Sequence, residues 1–402
     1  MLFVPARARL ALARISPPVW RILLHSSLFG LASSVADLLF NFYLVSLGYG
    51  ADTAGLLSTV NRMAGVALGL PIGLLIDRIG ARRSLVIGVV CYSGGWALAL
   101  LSGALWALAL TQFLVGAAQI LALTAVVPLM TGVTGSHDRA TVFGLNASAA
   151  LVIGLLGSAV GGLLPALAAG LLAIGPQEVL AYRLALTTVV AIGLVGALPV
   201  LRGVPEHSRD EVATSAEPVQ ARLSSGRLLR FALPALLLGV GSGAILPFQN
   251  LFFRQQFGLS DAAVGAVLAA TALVMGLGAV IGAPISARLG LQRAAATLRI
   301  GAVPATLLML IPALLPASLG FCLRGLFVAA SFPLNDALVM HVTPARQRGA
   351  AMSLTSVLWS LGWAGAAIVS GWAQLRWGFG PAIVVAAAAY ALSSWAIRAI
   401  KA

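Results

Sequence analysis

Twelve long apolar stretches follow one another along the chain, separated by short segments that contain Gly, Pro or charged residues. The stretches cover residues 19–47, 52–75, 83–102, 105–133, 140–165, 179–201, 228–254, 262–287, 294–315, 317–341, 349–374 and 379–399. A helix needs about 20 mostly apolar residues to cross the hydrocarbon core of a bilayer. The pattern therefore predicts an all-α integral membrane protein with twelve transmembrane helices.

The longest polar segment, residues 203–227, lies between the sixth and seventh apolar stretches. We interpret it as a cytoplasmic linker between two six-helix bundles, at residues 22–202 and 228–402. Residues 1–21 contain four arginines and no acid, and no uninterrupted apolar stretch with a cleavage site precedes the first span. We therefore interpret residues 1–21 as a cytoplasmic N-terminal tail rather than a targeting peptide.

Composition narrows the functional classes. Only 9% of the 402 residues are charged and 60% are hydrophobic, whereas about a quarter of the residues in a soluble domain are charged. A membrane enzyme should cluster His, Asp, Glu or Cys at the membrane surface, but the four histidines and two cysteines are scattered. We expect no enzymatic activity, no cofactor and no metal, and without a Walker A pattern ATP is not the energy source.

The excess of positive charge predicts the orientation in the membrane. The net charge is +14, from 25 basic and 11 acidic residues. With a cytoplasmic N-terminus, 19 of the 25 bases fall on the cytoplasmic side, where basic residues of short loops remain. Of the other six bases, three lie on the opposite side of the membrane: Arg183, Arg254 and Arg376. The remaining three lie within helices: Arg62, Arg299 and Arg324. We expect a monomeric, multi-pass protein of the plasma (inner) membrane with both termini cytoplasmic, and no nucleic-acid partner.

The two halves of the sequence repeat one another. At an offset of 210 residues, Gly55 aligns with Gly265 and Gly80 with Gly290. Asn41 and Asn250 stand at equivalent places, near the outer end of the first helix of each half. Such repeats indicate two similar bundles around an axis along the membrane normal, which is typical of secondary transporters.

A short motif separates the second and third stretches. Residues 73–83 read GLLIDRIGARR. A small residue at Gly73 permits close helix approach, Gly80 permits a tight turn, and the Asp77 carboxylate can cap or neutralise a helix N-terminus. The segment resembles motif A of the major facilitator superfamily, roughly G-x-L-a-D-r-x-G-r-k, in its expected place after the second helix.

This resemblance covers nearly the whole chain. It implies two pseudo-symmetric six-helix bundles, with spans one, four, seven and ten lining a central cavity. It also implies that motif A holds the halves together on the cytoplasmic side, so we interpret its residues as gating residues: Gly73, Asp77, Arg78, Gly80, Arg82 and Arg83. The second copy has Ala287 at the position of Asp77, so the gate should be asymmetric.

Two departures from the family patterns leave the coupling mechanism open. Gln112 stands where many proton-coupled members have the arginine of an R-x-x-x-G motif, which ends here at Gly116. Ser158 replaces the proline of the antiporter signature G-P-x-x-G-G. A drug/proton antiporter is compatible with both segments, but neither establishes it.

Charged residues within membrane spans are usually functional or paired, because inserting each one near the bilayer centre costs about 2.5–3.5 kcal/mol. Asp37 belongs to a polar stripe along span one, and Arg62 lies in span two. At 1.5 Å per residue both are roughly 15 Å from the outer surface. A buried ion pair between them is therefore expected, either as a structural pair or as a switch in which protonation of Asp37 releases Arg62.

Other polar residues complete a candidate substrate and proton pathway. They are Asn41, Gln112, Gln119, Gln249 and Asn250, with Arg324, Asn335 and Asp336 in span ten. Arg324 is interpreted as an anion or substrate contact, or as a structural partner. Arg299 is expected to extend its side chain to the cytoplasmic surface.

Aromatic residues allow two readings. Those near the outer ends of spans one and seven form either a gate or an interfacial belt: Phe42, Tyr43, Phe248, Phe252 and Phe253. Trp359 and Trp363 either stack on a substrate or pack against lipid or another helix.

Together these features predict a secondary transporter that binds its substrate between the halves, near the midplane. Few charges with several amides and aromatic rings favour a small organic solute or an amphipathic drug. Proton-coupled efflux is the first hypothesis. The alternatives are an uptake symporter or uniporter for a small metabolite, a lipid flippase, and a transporter-like sensor.

Overall fold

The computed structural model describes residues 15–135, 138–201, 204, 225–344 and 347–400. Residues 1–14 of the predicted N-terminal tail lie outside the described residues, as do residues 202–203 and 205–224 of the predicted linker region.

The helices correspond to the predicted spans. The first six are α1 (Pro17–Ser46), α2 (Ala51–Ile79), α3 (Ala81–Leu101), α4 (Leu105–Val133), α5 (Arg139–Leu172) and α6 (Val179–Leu201). The others are α7a (Ser225–Ile245), α7b (Gln249–Phe257), α8 (Asp261–Leu289), α9 (Leu291–Leu308), α10 (Leu314–Val342), α11 (Arg348–Trp377) and α12 (Gly380–Arg398). Over the described ranges the regular structure is helical throughout, which confirms the predicted all-α membrane fold.

Ten of these helices are long and apolar enough to cross a membrane, and an eleventh is counted if the two parts of α2 form one span. Between those parts, Ala51–Gly69 and Pro71–Ile79, the helix axis bends by 57°. The bend arises because proline clashes with the preceding helical turn. The remaining span, α9, has 18 residues and includes two arginines and a glutamine, which lower its hydropathy.

The three largest departures from the predicted spans are in the fifth, ninth and seventh spans. Helix α5 continues to Leu172 through Pro165, since proline is tolerated within membrane helices. Helix α9 ends at Leu308, shortly before Pro312. The seventh span is interrupted by a 3₁₀ turn, Leu246–Phe248, which contains Pro247.

Two helix crossings make the most extensive contacts between the first half (α1–α6) and the second half (α7a–α12). Helix α2 packs on α11, and α8 packs on α5. At the first crossing, a Cβ on Gly55 would collide with the carbonyl oxygen of Ala367; at the second, a Cβ on Gly265 would collide with that of Ser158. The repeated glycines therefore allow two equivalent close approaches, related by the internal symmetry of the chain.

We call the end of the bundle that contains residues 73–83 the motif end, and the opposite end the far end. Residues 55 and 265 are the fifth residues of α2 and α8, both of which begin at the far end. These two crossings therefore hold the halves together on the far side of the bundle.

Candidate functional site

A cavity of about 390 Å³ lies between the two halves. Its polar lining residues are Asp37, Asn41, Ser58, Asn61, Arg62, Gln112, Gln119, Gln249 and Asn250. The rings of Phe40, Trp96 and Trp363 also line it. Seven of the ten predicted pathway residues thus meet in one place, because the helical periodicity of spans one, two, four and seven directs them inward.

A second cavity, of about 530 Å³, adjoins the first and shares Asn61, Arg62 and Gln119 with it. It is lined further by Gly69 of α2 and Ser353 of α11. Ser353 lies only five residues after the start of α11, or about 7.5 Å along the helix. The two cavities form a route from the centre of the bundle towards the motif end.

Two asparagine amides close the central cavity on its far side. Asn41 Nδ2 donates to Asn250 Oδ1 at 2.8 Å and to the Pro247 carbonyl at 2.5 Å. Asn250 Nδ2 donates in turn to the Leu38 carbonyl at 2.6 Å. Each amide therefore bonds the backbone three residues before the other, so the contact is nearly symmetric between the halves.

A charged cluster lies beyond this amide pair at the far end. Arg254 Nη1 is 3.3 Å from Asp261 Oδ1 and donates to the Tyr182 hydroxyl at 2.8 Å. The Tyr182 hydroxyl donates to Asp261 Oδ2 at 2.7 Å, and the Arg254 guanidinium carbon lies 4.6 Å from the centre of the Phe42 ring. Tyr182 and Phe42 belong to the first half, so this cluster spans the two halves.

Sequence reasoning missed this cluster, although Arg254 had been singled out as one of three bases on that side. The sequence did offer one signal: Arg254 stands seven positions before Asp261, on the other side of a short turn. The aromatic residues predicted as a gate or a belt are all at most 4% exposed: Phe42, Tyr43, Phe248, Phe252 and Phe253. The belt interpretation is therefore wrong, because belt residues face lipid and these five pack inside the protein.

The expected ion pair between Asp37 and Arg62 is not formed. Asp37 is exposed to the cavity and has no hydrogen bond or ion pair with any described residue. The Arg62 guanidinium carbon instead lies 4.8 Å from the Trp359 ring centre and 4.6 Å from that of Trp363. We call these two indoles of α11 the Trp clamp; they hold an arginine of the other half through its charge.

Gln112 has a structural partner in α2. Asn61 Nδ2 donates to Gln112 Oε1 at 3.1 Å and to its main-chain oxygen at 3.3 Å. A Cβ on Gly116 would collide with the carbonyl oxygen of Asn61. Both ends of the Q-x-x-x-G segment thus fix α4 against α2, beside the cavity.

The predicted pathway residues of span ten lie away from the central cavity. Arg324 is 1% exposed, donates to the Tyr390 hydroxyl at 3.1 Å and lies 4.9 Å from the Phe321 ring centre. Asn335 accepts a hydrogen bond from Arg299 at 2.9 Å. The neighbouring Asp336 is exposed.

Arg299 is fully buried, so the expectation that it extends to the surface is wrong. Besides Asn335, it donates to the Pro234 carbonyl at 3.1 Å and to Ser393 Oγ at 2.6 Å. These partners come from α7a, α10 and α12, and they supply the polar contacts that a buried guanidinium requires. Arg299 therefore ties four helices of the second half together.

At the motif end, the acidic residue of motif A forms no hydrogen bond or ion pair with the described part of the second half. Asp77 and Arg78 are exposed, and Asp77 has no hydrogen bond or ion pair with a described residue. Gly80 adopts φ 90°, as the predicted tight turn requires. Arg82 Nη2 donates to the Leu201 carbonyl at 2.6 Å. No described atom lies within 4 Å of a Cβ built on Gly73, so the expected close helix contact there is not made.

Within the described ranges, no three His, Cys, Asp or Glu side chains converge as metal ligands. The cavity instead offers one free carboxylate, several amides and three aromatic rings. Such a lining can bind a small organic molecule through hydrogen bonds, ring stacking and one charge.

Comparisons with known proteins give one family match and several solved structures of similar fold. A family model described as the Major Facilitator Superfamily matches residues 22–367. The fold is similar to a mutant form of the nucleoside transporter NupG, with a TM-score of 0.80, 14% identity, and coverage of 95% of this chain and 99% of that one.

Two further solved structures show the same fold. A bacterial homologue of the iron transporter ferroportin has a TM-score of 0.75, 17% identity, and coverage of 95% and 98%. A bacterial homologue of the human lysosomal transporter Spinster has a TM-score of 0.73, 16% identity, and coverage of 95% and 97%. Among curated proteins, none matches the chain in a sequence comparison.

Proposed function

The chain belongs to the major facilitator superfamily and is a multi-pass membrane transporter, and we propose that it exports a small organic solute by alternating access in exchange for protons. The observation that carries this proposal is the exposed Asp37 carboxylate in a cavity between the halves. Inside a membrane protein, an ionisable residue that faces a cavity marks an ion or substrate path.

The size and lining of the cavity support a small organic solute. Binding pockets for such molecules have volumes of about 300–1,000 Å³ and combine apolar rings with a few polar groups. Here amides and aromatic rings surround a single acid and a single base, Asp37 and Arg62, within about 390 Å³. A highly charged metabolite would find too few countercharges among these residues.

The arrangement of the halves supports a state open towards the motif end. The glycine crossings, the Asn41–Asn250 pair and the Arg254 cluster all close the far end, while the second cavity runs towards Gly69 and Ser353. We propose that the motif end is cytoplasmic, because the basic residues concentrate there. The substrate would then enter the cavity from the cytoplasm.

Motif A is proposed to act when the cavity closes at the motif end. Asp77 is exposed and unpaired with described residues while the far end is closed. The opposite state would bring the halves together around it, and its carboxylate would then meet a helix N-terminus. The exposed Asp77 is thus a gating group in its released position.

The test is solute flux in proteoliposomes that contain the full chain, with and without a pH gradient. A panel of nucleosides, sugars and drug-like amines supplies candidate substrates. We expect a proton gradient to accelerate flux of at least one solute, and Asp37→Asn to remove that acceleration. Asp52→Asn, which removes an exposed carboxylate outside the cavity, is the matched control.

The outcomes separate the parts of the proposal. Flux that no ion gradient changes would refute proton coupling and leave a uniporter. An Asp37→Asn protein with full pH-driven flux would show that another group carries the proton.

A further inference from the structure

The central cavity contains an acid that forms no hydrogen bond or ion pair with the described part of the chain. Asp37 and Arg62 are the ionisable residues among the described side chains that line it. Asp37 has neither a hydrogen bond nor an ion pair with any described residue, and its side chain is exposed. A carboxylate within a membrane protein ordinarily pairs with a base or a hydrogen-bond donor, so a complementary group is missing here.

The base that acts electrostatically on Asp37 is held elsewhere. Arg62 lies over both rings of the Trp clamp, at 4.8 Å from Trp359 and 4.6 Å from Trp363. Its Nε is buried and has no hydrogen-bond partner, so stacking holds the guanidinium in place of a carboxylate. The clamp thereby holds the guanidinium of Arg62 in a position where it makes no hydrogen bond or ion pair with Asp37.

The surroundings of Asp37 suit a positive charge of another kind. Phe40 and Trp96 line the same cavity, whereas the third ring there, that of Trp363, already stacks on Arg62. Faces of aromatic rings attract cations, most strongly organic ones that are weakly hydrated. A carboxylate with two nearby rings is a combination that binds an amine or a quaternary ammonium group.

We propose that the cavity binds organic monocations at Asp37, and that the Trp clamp keeps this place free by retaining Arg62. The inference rests on the proposed function, since it names the substrate class of the same cavity. The amide side chains of Gln112 and Gln119 supply hydrogen bonds to the uncharged part of the solute. The combined cavities of about 390 and 530 Å³ accommodate a drug-sized cation.

The position of the clamp also explains how such a cation would be released. Asp37 and Arg62 both belong to the first half, whereas Trp359 and Trp363 belong to the second. When the halves separate at the far end, the clamp moves away from Arg62 while Asp37 stays near it. Arg62 then competes with the bound cation for the carboxylate, which lowers the cation's affinity on the far side.

The test measures binding to the purified full chain by fluorescence displacement of ethidium, an organic monocation. The competing probes are benzyltrimethylammonium and its uncharged carbon isostere, neopentylbenzene. We expect the cation to displace ethidium and the isostere not to. We also expect Asp37→Asn to weaken cation binding by about tenfold to a hundredfold, as loss of a charged contact does.

Variants of the clamp test the competition. Trp359→Leu with Trp363→Leu should release Arg62 and weaken cation binding, and adding Arg62→Gln to that pair should restore it. Trp372→Leu is the matched control, because the exposed Trp372 also stacks on an arginine, Arg376 at 4.3 Å, away from the cavity. If the double variant does not fold, the single variants Trp359→Phe and Trp363→Phe replace it. Each should weaken cation binding less than the double variant, and adding Arg62→Gln should restore that binding.

Several results would overturn the inference. Absence of ethidium binding, equal displacement by the isostere, or unchanged binding in Asp37→Asn would refute a monocation site. Failure of Arg62→Gln to restore binding would refute the competition. If these tests fail while the proteoliposomes still transport a neutral solute, the substrate class is wrong and the transport function stands; if no solute is transported, the proposed function itself fails.

Discussion

The side-chain amides of Asn41 and Asn250 are hydrogen-bonded across the two halves, with 2.8 Å between Asn41 Nδ2 and Asn250 Oδ1. The two residues occupy equivalent positions in the internal repeat, 209 residues apart. Each also donates to a main-chain carbonyl of the other half. The contact therefore lies close to the pseudo-twofold axis and forms the far wall of the cavity.

Loss of either amide should open the far end. In Asn41→Ala or Asn250→Ala, buried polar groups lose partners at about 1–3 kcal/mol each, so the closed far end becomes less populated. The two variants should have similar effects, and the double variant little more, because they share one contact. Accessibility of a cysteine placed in the cavity to a reagent added on the far side measures the change. Ser46→Ala is the control, since Ser46 Oγ bonds only its own helix at Tyr43; equal labelling of control and variants would refute this role.

A methyl group at either glycine crossing should prevent tight closure. Gly55→Ala and Gly265→Ala place a Cβ against a backbone carbonyl of the other half, which cannot move aside. We expect wider separation of the halves at the far end, measured as a longer distance between paired spin labels. Gly94→Ala, in open space on α3, should leave that distance unchanged. A wild-type distance in both crossing variants would contradict the assignment.

Tyr182→Phe should weaken the charged cluster that spans the halves. The hydroxyl accepts from Arg254 and donates to Asp261, so its loss removes two charge-assisted hydrogen bonds, worth about 1.5–3 kcal/mol each. The same spin-label measurement should report more of the far-end open state. Tyr49→Phe is the control, because Tyr49 bonds the Gly103 carbonyl within its own half. An identical shift in both variants would mean that the cluster does not hold the halves together.

Substitution of Arg299 should lower the stability of the fold rather than affect substrate binding directly. Arg299→Gln removes the donor to Asn335 Oδ1 and to Ser393 Oγ and one of the two donors to the Pro234 carbonyl, and each buried acceptor left unsatisfied costs about 1–3 kcal/mol. Thermal unfolding followed by intrinsic fluorescence should show a clearly lower midpoint. The exposed Arg293, changed to Gln, should leave the midpoint within experimental error. An unchanged midpoint for Arg299→Gln would contradict the proposed tie between four helices.

Asp77→Asn should lower flux without lowering stability. The side chain is exposed and makes no hydrogen bond or ion pair with described residues, so its change should cost less than about 0.5 kcal/mol of unfolding free energy. Its loss should matter only in the state closed at the motif end. Flux and unfolding midpoint, measured on the same preparation, separate the two effects, and unchanged flux would refute a gating role.

Much of the site followed from the sequence. Helical periodicity placed Asp37 and Asn41 on one face of α1, and the internal repeat paired Asn41 with Asn250 and Gly55 with Gly265. Each of these inferences uses short spacing or a fixed offset, which the backbone geometry of a helix preserves. The structure puts Asn41, Asn250, Gly55 and Gly265 at the contact between the halves.

The partners of the arginines did not follow from the sequence. The sequence predicts an ion pair between Arg62 and Asp37. In the structure Arg62 instead stacks on Trp359, which is 297 positions away and in the other half. Arg299 was expected at the surface and bonds residues of three other helices inside the bundle. A long flexible side chain reaches several helices from one backbone position, so depth in the membrane alone does not select its partner.

The sequence by itself determined the membrane class, the order of the spans, motif A and the equivalence of Asn41 with Asn250 and of Gly55 with Gly265, because hydrophobicity, short motifs and repeats can be read along the chain. Only the tertiary structure decided which end of the bundle is closed, that Asp37 forms no hydrogen bond or ion pair with the described residues, that the amides and glycines meet across the halves, and that the Trp clamp holds Arg62. Those features depend on how two rigid halves meet, and the energies of the competing arrangements differ by only a few side-chain contacts.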